Sequence, residues 1–225
     1  MRKVEFANDE YYHIYNRGVD KRDVFCDEKD YARFLTEIKE FNTIEAFGGL
    51  YTKYLRNRNK KIDNGDSVSS VETESPLSIL ALVEIICYCF NPNHYHFILK
   101  QLVEGGISKF MHKIGVGYSM YFNQKYDRSG ALFQGKFKAK HIDTNEYLLW
   151  LSGYVNGNVE IHKMSKVRNY NWCSYPDYLG LRCGTLCNKE IILSQFKNLE
   201  EYENYVNIVI DESEKRKDLE KYFIE

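Results

Sequence analysis

A nearly continuous apolar run from Ile79 to Phe90 constrains the fold of this 225-residue chain more than any other feature. Glu84 is its only charged residue, and such a run of Ile, Val and aromatic residues is typical of a buried strand. Asn91-Pro92-Asn93 then supplies turn residues, and His94 to Gln101 resumes as a second strand. The two segments together predict an antiparallel hairpin.

The other patterns in the chain predict alternating strands and helices around this hairpin. In order, the elements are a strand at 12–16, a helix after Asp27, the hairpin, a helix after Gly106 capped by Ser108, a strand at 133–142 and a helix capped by Asp143 or Thr144. This order favours an α+β layer fold with a mainly antiparallel sheet.

A polar, Ser-rich stretch interrupts the order of elements. Residues 53–75 begin with several cations and continue as DNGDSVSSVETES, which predicts a surface insertion that we place at about 42–78. Beyond Met164, a loop leads into one or two charged helices. We therefore expect a main domain over residues 1–164 and an acidic helical extension over residues 165–225.

Charge is distributed unevenly along the chain, although the formal net charge is only -1. Between Gly106 and His141 seven Lys and Arg residues oppose one acid, Asp127, and Tyr and Phe residues lie among them. From Lys189 to Glu225 the balance reverses, with ten acids against six bases. Cations beside aromatic rings suit single-stranded nucleic acid. The plainer alternative is a solvated helix face followed by core aromatics.

The composition also bears on where the protein works. No stretch approaches the ~18 apolar residues of a membrane span. The first residues, MRKVEFANDEYY, lack the apolar core of a signal peptide, and six scattered Cys fit a reducing compartment. We expect a soluble cytoplasmic protein.

His94-Tyr95-His96 is the most informative candidate site. On a strand the two imidazoles project from the same face, about 7 Å apart at Cα, while Tyr95 anchors the opposite face. Two imidazoles at this spacing can bind one metal ion; the alternative is two half-exposed histidines on an open sheet. Further along, Tyr154 and Asn158 are four residues apart and would share one face of a helix.

Four segments, in order, carry a family resemblance that covers about residues 11–164. They read YHIYNRGVDKRDVF, CFNPNHYHFILK, ISKFMHKIGVGYSMYFNQKYDRSGALFQGKFKAKHI and YLLWLSGYVNGNVEIHKM. The chain resembles the single-tyrosine transposases of the HUH endonuclease superfamily, most of all the REP-associated tyrosine transposases of bacteria. The resemblance implies a ferredoxin-like antiparallel sheet with packed helices, followed here by the C-terminal helical extension.

The resemblance also implies a function and its residues. The His-hydrophobic-His motif falls on His94 and His96, the nucleophilic tyrosine on Tyr154, and a third metal ligand on Asn158. Family members cut and rejoin single-stranded DNA next to hairpins, using a divalent cation, Mg²⁺ or Mn²⁺, and a covalent 5′-phosphotyrosine. Such an enzyme would act in the bacterial cytoplasm on nucleoid DNA and would not bind a membrane. Monomer and homodimer, with the site built from one chain or two, are both left open.

Four cations are expected to contact the DNA backbone, namely Arg17, Arg128, Lys136 and Lys138. Two departures from the family pattern concern the metal site. Val159 replaces the usual Pro after Asn158, which makes Asn158 the least secure ligand. Asn91 stands where the family usually has Met, and we expect this difference to affect packing alone.

Three other readings of the sequence compete with the transposase. A domesticated protein that binds hairpin or single-stranded DNA without cutting it would not require His94, His96 and Tyr154 together. Replication initiators and relaxases of the same superfamily often carry further tyrosines or helicase domains. A plain zinc hydrolase lacks a Glu or Asp beside the two histidines, and Cys87 and Cys89 read as core residues rather than zinc ligands.

Overall fold

The computed structural model describes residues 4–44 and 81–222, the last six of them by their backbone alone. Its one antiparallel sheet contains β1 (Tyr11–Arg17), β2 (Val83–Asn91), β3 (His94–Gln101) and β4 (Lys138–Ile142). The strand order is β2-β3-β1-β4, so that β3 and β1 occupy the centre of the sheet. The predicted α+β class, antiparallel sheet and hairpin are confirmed.

Helices cover both faces of this sheet. One face carries α1 (Glu28–Phe41) and α2 (Gly106–Lys125); the other carries α3 (Asn145–Asn156), α4 (Asn158–Ile161), α5 (Tyr175–Tyr178), α6 (Glu190–Leu193) and α7 (Leu199–Tyr222). Two short 3-10 turns lie at Val19–Lys21 and Val167–Asn169. None of the helices described combines the length and the apolar character needed to cross a bilayer.

The alternation of β3 divides its side chains between two cores. Tyr95, Phe97 and Leu99 are buried beneath α1 and α2. Ile98 packs into the second core, beneath α3 and α7. Because side chains alternate along a strand, His94 and His96 share the face of Ile98 and point toward the second helical layer.

Local backbone chemistry sets the ends of these elements. The side chain of Asp27 accepts a hydrogen bond from the backbone N–H of Asp30 and so caps α1, while Thr144 caps α3. The expected cap at Ser108 is wrong: α2 begins at Gly106, where any Cβ would lie 2.2 Å from the Leu82 carbonyl oxygen. The last strand is shorter than predicted, because Gly135, at φ +69°, turns the chain before it.

Residues beyond 164 share the second core with the sheet. Tyr175, Tyr178 and Tyr202 are fully buried there. Helix α7 packs closely on α3 at Gly153, which has no side chain. A Cβ at this position would lie 3.0 Å from the Val209 side chain. The acidic extension therefore supports the helix that carries Tyr154. The predicted insertion at about 42–78 lies outside the described residues, apart from residues 42–44, which follow α1.

Glu37 on α1 is a buried carboxylate whose environment gives a testable pH dependence. Its Oε1 accepts a hydrogen bond from Arg33 Nε at 2.7 Å, while Oε2 has no partner among the described residues. Burial raises the pKa of Glu37 from 4.5 to about 7, against the opposing effect of Arg33. Since the folded pKa exceeds the unfolded value, the native state binds the extra proton between these pH values, and stability falls as pH rises through them.

We expect Glu37→Gln to remove this loss of stability while keeping the size of the side chain. The variant should match the wild type near pH 4.5 and exceed it at about pH 8, by up to about 3 kcal/mol. Urea unfolding of both proteins at the two pH values measures the difference. A variant less stable than the wild type at the higher pH would contradict the assignment.

Candidate active site

His94 and His96 lie on the central strand β3 and meet edge to face. Their ring centroids are 5.2 Å apart, with an angle of 88° between the planes. His94 is half-buried, whereas His96 is only 8% exposed. The imidazoles are therefore held as a pair at the boundary between the sheet and the second helical layer.

The protonation of the His94 ring follows from its contact with Asn93. His94 Nδ1 is 2.6 Å from Asn93 Oδ1, and an amide oxygen can only accept a hydrogen bond. The neutral ring thus carries its proton on Nδ1 and keeps a lone pair on Nε2. His94 Nε2 lies 2.8 Å from Asn91 Nδ2 and 3.2 Å from Asn158 Oδ1.

His96 is oriented by His13, a residue of β1 that no sequence motif marked as a candidate. His96 Nδ1 and His13 Nε2 are 2.8 Å apart, and both rings are buried. Tyr15 stacks on His96 at 5.7 Å between centroids. Burial, reinforced by Lys140, lowers the pKa of His13 to about 4, so that His13 is neutral at pH 7. A neutral His13 can accept a hydrogen bond from His96 Nδ1–H, which leaves the lone pair of the His96 ring on Nε2, available to a metal ion.

Helix α3 brings Tyr154 to the histidine pair. The Tyr154 ring meets His96 edge-on at 5.9 Å and stacks on Trp150 at 5.4 Å. Asn158 does not lie on the same helix as Tyr154, because α3 ends at Asn156 and α4 begins after Gly157. Gly157, between the two helices, also has helical backbone angles. The side chain of Asn158, the first residue of α4, then reaches His94 on β3. Tyr154 and Asn158 thus approach the histidines from consecutive helices.

The amides of Asn91 and Asn158 are fully buried beside His94. Asn91 Nδ2 donates a hydrogen bond to Asn158 Oδ1 at 2.6 Å. Asn158 Nδ2 is buried with no hydrogen-bond partner among the described residues. A buried donor without a partner lowers the stability of the fold, so its presence calls for a reason other than folding. The expectation that Asn91 affects packing alone is wrong, since its amide links two of the candidate ligands.

The donor set fits a divalent cation. His94 Nε2 and Asn158 Oδ1, both lone-pair atoms, are 3.2 Å apart. Two ligands that each lie about 2.1 Å from one ion, at right angles, are separated by about 3 Å. An imidazole nitrogen and an amide oxygen at this spacing, with His96 adjoining, can hold a divalent cation.

A pocket of about 450 Å³ opens beside the histidines. It is lined by both of them, by three cations and by six further residues: Arg17, Lys21, Lys138, Tyr15, Asn16, Asn93, Gln134, His162 and Met164. Tyr154 is not part of this lining. His162, which no sequence motif marked either, has its ring centroid 4.9 Å from that of His94.

The four cations expected to contact DNA are not all in one place. Arg17 and Lys138 line the pocket with the histidines. Lys136 lines an adjoining pocket of about 570 Å³, which shares Asn16 with the first. Arg128 lines neither pocket, and its guanidinium lies over the Phe122 ring at 5.6 Å. Two of the four are therefore next to the candidate site.

The cysteines of β2 belong to the core. Cys87 and Cys89 are completely buried, and burial raises their thiol pKa values. Within residues 4–44 and 81–216, no three His, Cys, Asp or Glu side chains come together as a metal site.

Comparisons with known proteins identify one family and one similar fold. A family model described as IS200-like transposase matches residues 56–170, just over half of the chain. The fold is similar to a solved structure of a REP-associated tyrosine transposase bound to a REP hairpin. The match covers 80% of this chain and 85% of that transposase, with a TM-score of 0.52 and 13% sequence identity. At that identity the likeness establishes the fold. No curated protein matches the chain.

Proposed function

The chain belongs to the IS200-like transposases, and on this premise we propose that it cuts and rejoins single-stranded DNA beside hairpins through a phosphotyrosine on Tyr154. The observation that carries the proposal is the meeting of Tyr154 with His96, and of Asn158 with His94, within one chain. Binding to DNA alone would need none of these contacts. A nucleophile beside a cation site is the arrangement that phosphoryl transfer requires.

Three side chains of this site would hold the divalent cation. His94 would bind through Nε2, because its Nδ1 faces Asn93, and His96 through Nε2, because its Nδ1 faces His13. Asn158 would bind through Oδ1. Two imidazoles and an amide also suit zinc, but family precedent favours Mg²⁺ or Mn²⁺. When bound, such an ion polarises the scissile phosphate and stabilises the charge that grows on it.

Tyr154 supplies the nucleophile, and its neighbours fix its ring. Stacking on Trp150 and the edge contact with His96 restrict the phenol to one orientation. The Tyr154 oxygen attacks phosphorus and forms a phosphotyrosine with the 5′ end, while the bond to the 3′ oxygen breaks and leaves a 3′-hydroxyl. Attack by a 3′-hydroxyl on that ester reverses the step and reseals a strand, without ATP or an organic cofactor.

The substrate is proposed from the charge of the pocket and from the solved relative. Arg17, Lys21 and Lys138 place positive charge beside the histidines, where a phosphate backbone would lie. Tyr15 offers a ring in the same pocket on which a base can stack. The REP-associated transposase of similar fold is bound to a hairpin, and we extend that type of substrate to this chain.

The experiment that tests the function uses the full chain and single-stranded oligonucleotides that carry hairpins. With Mn²⁺ or Mg²⁺ present, we expect a nick and a protein–DNA adduct that resists denaturation, and chelation should abolish both. Binding without any nick would instead identify a hairpin-binding protein. A nick that leaves no adduct would indicate hydrolysis and would exclude the tyrosine mechanism.

Binding to this DNA should depend on salt and on Lys138. Since cations at the pocket release counterions from DNA, affinity should fall steeply between about 50 and 200 mM salt. Lys138→Glu should weaken binding about tenfold and reduce the salt slope, because it removes a phosphate contact and adds a repulsive charge. Fluorescence anisotropy over a salt series gives both quantities.

Lys29→Glu is the matched control for Lys138. It makes the same change of charge at an exposed position of α1, on the opposite face of the sheet. Equal losses in the two variants would show that overall charge, rather than the pocket, governs binding.

A further inference from the structure

Asn91 lies at the end of β2, directly opposite His94 in the antiparallel register. Its side chain is fully buried and faces the candidate cation site. The family to which the chain is similar usually has Met at this position, which offers no amide. A buried amide here is therefore a feature of this chain that the proposed function does not use.

The Asn91 amide completes a triangle of polar atoms with two proposed ligands. Asn91 Nδ2 is 2.8 Å from His94 Nε2 and 2.6 Å from Asn158 Oδ1, and those two atoms are 3.2 Å apart. Three ligands on one face of an octahedron, each about 2.1 Å from the ion, are about 3 Å from one another. The three positions thus have the spacing of three ligands to one cation.

The Asn91 amide presents its donor to this triangle, while its oxygen has only a weak contact. Asn91 Oδ1, on the other side of the amide, meets only the Cys89 thiol among the described residues, at 3.8 Å. Half a turn of the amide exchanges Oδ1 and Nδ2 at nearly the same positions. Both Nδ2 hydrogen bonds and the weak thiol contact are then lost, a loss that the bound ion has to offset. In exchange, a carbonyl oxygen replaces the N–H beside His94 Nε2 and Asn158 Oδ1.

We propose that Asn91 is a further ligand of the cation, and that its amide turns when the ion binds. Without an ion, the Nδ2 hydrogens bridge His94 and Asn158 and keep these two lone-pair atoms close together despite their mutual repulsion. With an ion, Oδ1 joins them as a third acceptor. The inference rests on the proposed function, since it concerns the same cation.

Calorimetric titration of the full chain with MnCl₂ tests this role through two substitutions. Asn91→Asp keeps an oxygen in reach and adds a negative charge, so it should bind Mn²⁺ at least about tenfold more tightly. Asn91→Met restores the residue usual in the family, removes the oxygen and should bind about tenfold more weakly. Asn169→Asp, the same change on an exposed turn, should match the wild type.

Thermal unfolding of Asn91→Asp provides a second readout that needs no DNA. Its carboxylate faces two acceptor atoms, so the metal-free variant should melt below the wild type, and Mn²⁺ should raise its melting temperature by more than it raises that of the wild type. If Asn91 only forms hydrogen bonds to His94 and Asn158, or only fills space in the core, the Asp and Met variants should both bind Mn²⁺ more weakly than the wild type. That result would overturn the inference.

His94→Ala separates this inference from the proposed function. If His94→Ala lowers Mn²⁺ affinity while both Asn91 variants match the wild type, the cation site stands and only the role of Asn91 is wrong. If Mn²⁺ binding to the wild type is absent or insensitive to His94→Ala, the cation site and the inference are both overturned.

Discussion

Tyr154→Phe should lose the covalent protein–DNA adduct completely while keeping its fold and its affinity for hairpin DNA. Phenylalanine preserves the ring that stacks on Trp150 and meets His96, and removes only the attacking oxygen. The adduct is detected on a denaturing gel with labelled oligonucleotide, and its position is mapped by peptide mass. Anisotropy confirms that the variant still binds DNA.

Two other tyrosines matter for this experiment, one as a control and one as a rival nucleophile. Tyr147 lies on the same helix, two turns earlier, and Tyr147→Phe should leave the adduct intact. Tyr15 is the rival that the structure presents, because its ring is 5.7 Å from that of His96 and it lines the pocket. An adduct that persists in Tyr154→Phe and maps to Tyr15 would refute the assignment.

Loss of either histidine of β3 should abolish cleavage. We expect His94→Ala to lower the rate of nicking by at least about a thousandfold, which corresponds to about 4 kcal/mol of lost transition-state stabilisation. The fold should survive, because the apolar anchors of β3 are Tyr95, Phe97 and Leu99 on the opposite face. Gel-based nicking rates and circular dichroism measure the two effects.

His141→Ala is the matched control for this loss. His141 lies on the edge strand β4, where its ring pairs with Glu10 at the surface, away from the pocket. It should nick DNA at the rate of the wild type. If a double alanine variant of His94 and His96 still nicked DNA with unchanged metal dependence, the cation site would be wrong.

Features that depend on neighbouring residues could be predicted from the sequence. The order of strands and helices follows from local periodicity, and the shared face of His94 and His96 follows from the two-residue repeat of a strand. The Asn91-Pro92-Asn93 turn identified the hairpin. Resemblance to a family, rather than periodicity, singled out Tyr154 among 19 tyrosines.

Features that depend on strand register were out of reach of the sequence. His13 meets His96 because β1 and β3 pair with Tyr15 opposite His96. This register is fixed by contacts between residues about eighty positions apart in the chain. Asn91 looked like part of the turn, since only the pairing of β2 with β3 reveals that it lies opposite His94. The short last strand was missed because the positive φ of Gly135 cannot be read from its neighbours.

The contact between Tyr154 and His96 of the same chain has a kinetic consequence. Because one molecule contains both the proposed nucleophile and the proposed cation ligands, nicking should be first order in protein and should survive dilution. A single tyrosine can carry one 5′ end at a time, so exchanging the ends of two cut strands needs two molecules on the same DNA. Dilution should therefore suppress strand exchange long before it suppresses nicking.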